Sequence, residues 1–593
     1  MFYTDSFFRI FGVKETINQM LKKTRVALAA IFFLGITLLF LDFTGTLHGF
    51  LGWMAKVQFL PAVLALNAVV IVAMLLLTIL FGRVYCSVIC PLGVFQDGVA
   101  WLSRKGRKGK YTYSKEVKWL RYGVWVLFVA ALIAGIGSFV ALLAPYSAWG
   151  RIVQNLLSPV YQWVNNILAA IAERRSSYAF YSKEVWLRSL PTFLVAAVTF
   201  VVLVVLAWKN GRTYCNTVCP VGTTLSFFSR FAMFRPVIDA GKCRSCRVCE
   251  KRCKASCIDI AEKKIDYSRC VDCFNCIDNC KFGALKYRFA WKGASAAPAA
   301  TATPTASAAP AAPATPTASS APAAPAAGNA SRESSSSTSS NAGSGNGGQT
   351  AGAGRRAFLV GAAVALTGTA LRAQTDSTDT EALEKENEGG FADIIPKKAP
   401  KRSMPVTPFG SRSVKEFYDH CTACQLCVAV CPNNVLRPSS ALERLMQPEM
   451  SFERGYCRPE CTKCSEVCPA GAILRITPEE KTAWKVGTAH LDYDLCIVAN
   501  GEVDECGNCA RHCPAGAIMM IAKDPDSTEE HKVRIPAVDG ARCIGCGACE
   551  NLCPARPLSA ITVDGYAVHH TDVEAWDGEA GEAVGETDGG QMQ

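Results

Sequence analysis

The chain has 593 residues, more than one hydrophobic core holds, so several domains are expected. Half of its residues are hydrophobic and its mean hydropathy is +0.17, which argues against an ordinary soluble globule. The net charge is +12, with the basic residues crowded beside apolar runs in the first half and an acidic stretch at 571–590. That distribution reads as membrane orientation and speaks against nucleic-acid binding.

Four apolar runs fill the first 210 residues, at about 26–44, 61–81, 122–144 and 190–208. Each is close to the roughly 20 residues that a helix needs to cross hydrocarbon. Lys14, Lys22, Lys23 and Arg25 precede the first run, and nine basic residues from Arg83 to Arg121 separate the second from the third. Lys209, Arg212, Arg230 and Arg235 follow the fourth, whereas only Lys56 lies between the first two. Positive residues stay inside, so the N-terminus is expected in the cytoplasm. The amphipathic stretch 151–172 is expected to lie along the outer interface.

Two of the runs end in one pattern. "FGRVYCSVICPLG" (81–93) and "NGRTYCNTVCPVG" (210–222) both read G-R-x-Y-C-x-x-x-C-P-x-G. Runs one and two with the first cysteine pair thus repeat as runs three and four with the second. Two such units about a pseudo-two-fold axis bring Cys86, Cys90, Cys215 and Cys219 together on the cytoplasmic side.

A ferredoxin pattern follows at once. Cys243, Cys246, Cys249 and Cys253 are spaced C-x2-C-x2-C-x3-C, and Cys270, Cys273, Cys276 and Cys280 repeat it. Three thiolates at this spacing hold three corners of a [4Fe–4S] cubane, and the fourth cysteine crosses to the other cluster. Cys243, Cys246, Cys249 and Cys280 are therefore assigned to one cluster, and Cys270, Cys273, Cys276 and Cys253 to the other. Lysine stands after Cys253 and Cys280 where proline is usual, and Cys257 is left over as an alternative to Cys253. Zinc sites seldom run at this spacing, and a cytoplasmic face disfavours disulfides.

Residues 291–354 are almost only Ala, Pro, Thr, Ser, Gly and Asn, the composition of a disordered tether. The segment 355–374, which opens RRAFLVG, has the form of a twin-arginine export signal or a short fifth membrane helix. Export places everything after it outside the cytoplasm.

The domain at 400–567 carries four more quartets: Cys421, Cys424, Cys427, Cys431; Cys457, Cys461, Cys464, Cys468; Cys496, Cys506, Cys509, Cys513; and Cys543, Cys546, Cys549, Cys553. The second has one extra residue in its first gap, and the third has a long insertion. Each fourth cysteine keeps its proline. Four further [4Fe–4S] clusters are expected, six in all. Spacing leaves open whether neighbouring motifs pair, or the outer two and the inner two. Residues 568–593 form an acidic tail.

Six quartets and Cys257 leave four of the 29 cysteines, the repeated pairs. These could ligate a metal centre, foremost iron–sulfur; act as redox-active thiols; or simply pack. Four converging thiolates suit a metal or cluster, so the metal centre ranks first. The fold class is membrane α-helical, with four spans and a candidate fifth, plus two α+β ferredoxin-like Fe–S domains.

On these motifs, 1–290 resembles the NapH-type membrane polyferredoxins, and 354–565 resembles the NapG/MauM-type four-cluster ferredoxins. The resemblance implies a fused quinol dehydrogenase module of the bacterial inner membrane. It takes electrons from the quinone pool and passes them to a periplasmic reductase or cytochrome, with the first ferredoxin domain cytoplasmic and the second periplasmic. Quinol oxidation also needs proton acceptors. Asp42 and His48, at the outer end of the first run, are candidates, since an ionisable group at membrane depth is a functional hypothesis by default. Two alternatives remain: a cytoplasm-facing polyferredoxin donor in an ion-translocating or maturation complex, and an Fe–S redox sensor or scaffold. No nucleotide-binding glycine loop, nucleophilic triad or flavin motif stands out.

Overall fold

The computed structural model describes residues 14–106, 111–177, 180–290, 395–524 and 533–571. The tether at 291–354, the twin-arginine-like segment at 355–374 and nearly all of the acidic tail lie outside the described residues.

Two helices among the described residues are long and apolar enough to cross a membrane, Met20–Leu41 within the longer helix Lys14–Leu41, and Leu190–Asn210. The other two apolar runs are each broken in the middle. Run 61–81 divides into Phe59–Leu64 and Ala68–Phe81 at Leu66, whose φ is +50°, and the Asn67 side chain accepts a hydrogen bond from Val70 N (3.2 Å) to start the second piece. Run 122–144 divides into Lys118–Ile133 and Gly137–Leu143 at Gly135, with φ +70°. There the chain meets a distant domain: a Cβ on Gly135 would stand 2.8 Å from an Asp419 carboxylate oxygen. The stretch 151–172 is helical, with a π-turn at Val153–Leu157, but it is not interfacial throughout. Arg151–Asn155 are buried in the bundle, and only the later part exposes apolar side chains such as Trp163 and Ile167.

The expected repeat is visible in the element order. Helices Ala68–Phe81 and Leu190–Asn210 both stop at a glycine of positive φ, Gly82 and Gly211. Short helices Val84–Val88 and Thr213–Thr217 follow, and then Pro91–Gly106 and Pro220–Ser229, each with proline at its first position.

The first ferredoxin domain closes on the antiparallel pair Phe234–Ile238 and Leu285–Phe289, in register Phe234↔Phe289. It seats on one end of the bundle: Lys22 pairs with Asp278 (2.5 Å), Met233 N bonds Ile79 O (2.8 Å) and Arg212 N bonds Lys254 O (2.9 Å). The C-terminal domain, with strands Trp484–Leu491 and Ile561–Thr571 as its longest pair, seats on the other end. Lys463 Nζ donates to Thr44 O (2.8 Å) and Asn155 Nδ2 to Gln425 Oε1 (3.1 Å). The helix Lys14–Leu41 therefore touches one ferredoxin domain near its start and the other just past its end. From Lys22 to Phe40 it rises about 27 Å at 1.5 Å per residue, close to the thickness of a bilayer's hydrocarbon.

Trp186 anchors the second contact. The guanidinium groups of Arg437 (4.5 Å) and Arg454 (4.6 Å) both stack on its ring, and Arg454 also pairs with Glu184. Stacked cations are worth about 1 kcal/mol each. Trp186→Ala is expected to loosen this docking and leave cluster content unchanged. Faster protease cleavage of the C-terminal domain at constant iron content is the readout, and equal rates would remove Trp186 from the interface.

Candidate iron–sulfur sites

Thiols can hold a cubane only if four of them surround a space several ångströms across. Among the described residues no three His, Cys, Asp or Glu side chains close on a single-ion position. The cysteines line cavities instead. Cys243, Cys246, Cys249 and Cys280 line one. Cys270, Cys273 and Cys276, with Cys253 and Cys257, line a second. Cys457, Cys461 and Cys464, with Cys431, line a third.

The remaining quartets follow from which thiols press on one another. After burial, which pushes its thiol up, Cys427 is affected chiefly by Cys424, Cys421 and Cys468. Cys509 has Cys506, Cys553 and Cys496 as its neighbours, and Cys549 has Cys546, Cys543 and Cys513 foremost. The fourth cysteine thus crosses over in every pair. In the C-terminal domain neighbouring motifs pair, first with second and third with fourth, which spacing alone left open.

The backbone between the cysteines is shaped for thiolates. The residues flanking the second cysteine of a motif sit in the left-handed region: Ser245 and Arg247, Asp272 and Phe274, Ala423 and Gln425, Gly545 and Gly547. Each non-glycine residue there costs about 1–2 kcal/mol. The same choice in four motifs curls successive N–H groups into an anion-binding nest. The motif with the extra residue departs from it, with Thr462 at φ −114°. There Lys481, fully buried, donates from Nζ to Cys457 Sγ (3.2 Å).

Cys86, Cys90, Cys215 and Cys219 are all buried between the two ends of the bundle. Burial pushes the Cys219 thiol up first, and Cys215, Cys90 and Cys86 add to it. The expected convergence is present, and the repeated motif explains itself residue by residue. The arginines are exchanged across the pseudo-axis: Arg83 Nη2 donates to Cys215 O (3.2 Å), and Arg212 Nη1 to Cys86 O (2.6 Å). The last glycine makes room for that exchange. A Cβ on Gly93 would lie 2.2 Å from Cys86 O and 2.9 Å from Arg212 Nη1; one on Gly222 would lie 2.5 Å from Cys215 O and 2.7 Å from Arg83 Nη2. Cys219 caps its following helix, accepting from Gly222 N (3.4 Å), and Gly93 N–H serves Cys90 in the same way. Gln96 Nε2 donates to Cys215 Sγ (3.3 Å), and Arg83 Nη2 reaches Cys86 Sγ at 3.8 Å.

Charge makes the stronger test of fit. Arg83, Arg212, Arg25 and Lys254 are buried around these thiols, against two buried carboxylates, Asp97 and Asp272. Asp97 takes Arg212 Nε (2.8 Å), Arg25 Nη1 (3.0 Å) and Lys254 Nζ (3.3 Å). Burial alone would push Asp97 up; Arg212, Lys254 and Arg25 outweigh it and hold the carboxyl far below the usual range. Among the described residues no carboxylate pairs with the Arg83 guanidinium, since Asp272 takes the Arg83 backbone N–H (3.0 Å). Arg212 Nη2 is buried with no hydrogen-bond partner among the described residues. Buried cations in excess require an anionic group, and four thiolates around an iron–sulfur cluster supply one. The residues present fit that group. In the sequence Arg83 and Arg212 read as orienting basic residues within the repeat, and Lys254 as a lysine in place of proline; Asp97 and Gln96 carry no signal.

Asp42 and His48 lie together just past the C-terminal end of the first long helix. The Asp42 carboxylate is engaged by its own turn: Oδ1 accepts from Thr44 N (3.0 Å), Thr44 Oγ1 (2.6 Å) and Gly45 N (3.0 Å), and Oδ2 from Leu47 N (2.8 Å). His48 Nδ1 is 3.4 Å from Oδ2, and its Nε2 is buried with no hydrogen-bond partner among the described residues.

A 4Fe–4S binding domain model matches residues 63–109 and again 192–237, the stretches that hold the two repeated cysteine pairs. A 4Fe–4S dicluster domain model matches 420–472 and 504–556. The chain is 40% identical over 95 residues to an uncharacterised protein of Methanocaldococcus jannaschii, a match spanning 16% of this chain and only 38% of that protein. It is 30% identical over 168 residues to the methylamine utilization ferredoxin-type protein MauM of Methylobacillus flagellatus, covering 28% of this chain and 70% of MauM. It is 27% identical over 237 residues to the ferredoxin-type protein NapH of Haemophilus influenzae, covering 38% and 69%. No solved structure matches.

Proposed function

Because this chain belongs to the ferredoxin-type iron–sulfur proteins that include MauM and NapH, we propose that it carries electrons across a bilayer, from quinol to a redox partner outside the cytoplasm. One [4Fe–4S] cluster is assigned to each ferredoxin quartet and a seventh to Cys86, Cys90, Cys215 and Cys219. Each cluster, when bound, supplies a site for one electron at a potential set by charge, hydrogen bonds to sulfur and exposure.

The observation that carries this proposal is the placement of two ferredoxin domains at opposite ends of one long apolar helix, with a buried thiol quartet between them. The chain's own residues fix the order. Lys254 follows Cys253 of the second quartet and salt-bridges Asp97, which holds Arg212 against Cys86 O. On the other side, Tyr85 is within electrostatic reach of Cys90, Cys86 and Cys219, and Tyr146 is within reach of Cys424, Cys468 and Tyr85. A Cβ on Gly150 would stand 2.4 Å from Cys424 O, so the outer domain's first quartet presses on the bundle itself. Further out, Cys457 N bonds Cys546 O (3.0 Å) and joins the two halves of that domain.

The exposed apolar side chains on the long helices, among them Leu34, Val69, Ile133 and Val198, support a lipid surround. Quinol releases two electrons and two protons, and Asp42 with His48 remain the candidates to receive the protons. Asp42→Asn keeps the Oδ1 bonds of the turn and removes the charge. It is expected to slow quinol oxidation without loss of clusters; unchanged turnover in the purified variant removes Asp42 from the mechanism. Quinol added anaerobically to purified protein in nanodiscs tests the donor, with cluster EPR signals expected to appear. Clusters that respond to dithionite but never to quinol would overturn that part.

A further inference from the structure

Cys257 is the thiol that the quartets do not use. It stands four residues after Cys253, the fourth cysteine of its motif. In four of the five other motifs the corresponding residues are Ala284, Val435, Ala472 and Ala517, all buried; in the last it is Pro557, which is exposed. Two of them show what the position does. Ala284 lines the cavity of Cys243, Cys246, Cys249 and Cys280, and Val435 lines that of Cys431, Cys457, Cys461 and Cys464. In those two motifs the position is an apolar wall of the cavity, and the first motif alone carries a thiol there: Cys257 lines the cavity of Cys253, Cys270, Cys273 and Cys276.

The fifth thiol is placed among the others. Cys257 Sγ is 3.5 Å from Cys253 Sγ and within electrostatic reach of the Cys270 thiol as well, and its residue is 1% exposed. Two thiols this close cannot both occupy corners of one cubane, so one ligates while the other waits beside it. The turn between them also lacks the proline of the C-terminal motifs, as does the turn after Cys280. In the C-terminal domain Pro432, Pro469, Pro514 and Pro554 follow the fourth cysteine and fix φ near −65°. Lys254 stands here instead and leaves the turn without that constraint.

We propose that Cys253 and Cys257 are exchangeable fourth ligands of the second cluster in the first ferredoxin domain. In the exchange the Fe–Sγ bond to Cys253 breaks and one to Cys257 forms. The proton leaves Cys257 Sγ for Cys253 Sγ, so total charge and oxidation state are unchanged. The exchange depends on that quartet holding a cluster and not on where its electrons come from.

The test uses the full chain, purified anaerobically, with iron, acid-labile sulfide and EPR-monitored redox titration as readouts. Cys253→Ala is expected to keep the wild-type iron and sulfide while one cluster's EPR signal and midpoint potential shift. Cys257→Ala is expected to keep its iron too, and the double alanine variant to lose one cluster. Loss of a cluster in either single variant, or a full complement in the double variant, overturns the proposal. Should the double alanine fail to accumulate, Cys253→Ala with Cys257→Ser decides: a serine oxygen ligand shifts the signal again, and a spectrum identical to that of Cys253→Ala alone refutes ligation by Cys257.

Discussion

Cys86→Ala with Cys215→Ala is expected to reduce electron passage between the two ferredoxin domains to background while the six ferredoxin quartets keep their iron. These cysteines belong to opposite halves of the repeat and lie between the domains, so their loss interrupts the path without touching either end. The measurement is rapid-freeze EPR after reduction at one end. Wild-type protein equilibrates its clusters, whereas the variant leaves those of the far domain oxidised. A variant that equilibrates at the wild-type rate would assign these thiols to packing alone.

Arg212→Met is expected to be the most destabilising single change at the centre. Arg212 is fully buried, holds Asp97 through Nε and holds the Cys86 carbonyl through Nη1. Removing one partner of a buried ion pair strands the other charge and costs about 3–5 kcal/mol. Arg247→Met is the comparison, since Arg247 is 63% exposed and its contact with Glu250 is long, at 3.8 Å; an exposed pair of that kind is worth about 0–1 kcal/mol. Thermal loss of the visible iron–sulfur absorbance in detergent reads both. Equal midpoints for the two variants would contradict the electrostatic role given to Arg212. A lower potential of the central cluster is also expected, since one of its four buried cations is gone.

What was legible in the sequence follows the range of the interactions. The ferredoxin quartets and the crossover of Cys253 and Cys280 are written in short spacings, because a cubane needs three thiolates within one turn of chain. The meeting of Cys86, Cys90, Cys215 and Cys219 was legible because the repeat writes the same short motif twice. Pairing among the last four motifs depends on how separate turns pack, which spacing does not encode. The breaks at Leu66 and Gly135 were hidden for a related reason. Run 122–144 is apolar throughout, and its interruption serves a seat for Tyr418 and Asp419, far away in the chain. Likewise 151–172 carries an amphipathic pattern, yet its first turn is enclosed because Phe40 and Cys424 close over Gly150. Asp97 gave no local signal, and Lys254 showed only as a missing proline, since the ion pair between them joins distant parts of the chain.

Vectorial transfer in sealed vesicles tests the central claim most directly. The full chain is reconstituted in one orientation, with cytochrome c trapped inside and dithionite, which does not cross lipid, added outside. Reduction of the trapped cytochrome, abolished by Cys86→Ala with Cys215→Ala, is the predicted result. Reduction only after detergent opens the vesicles, with the protein fully loaded with iron, would contradict a path through the chain.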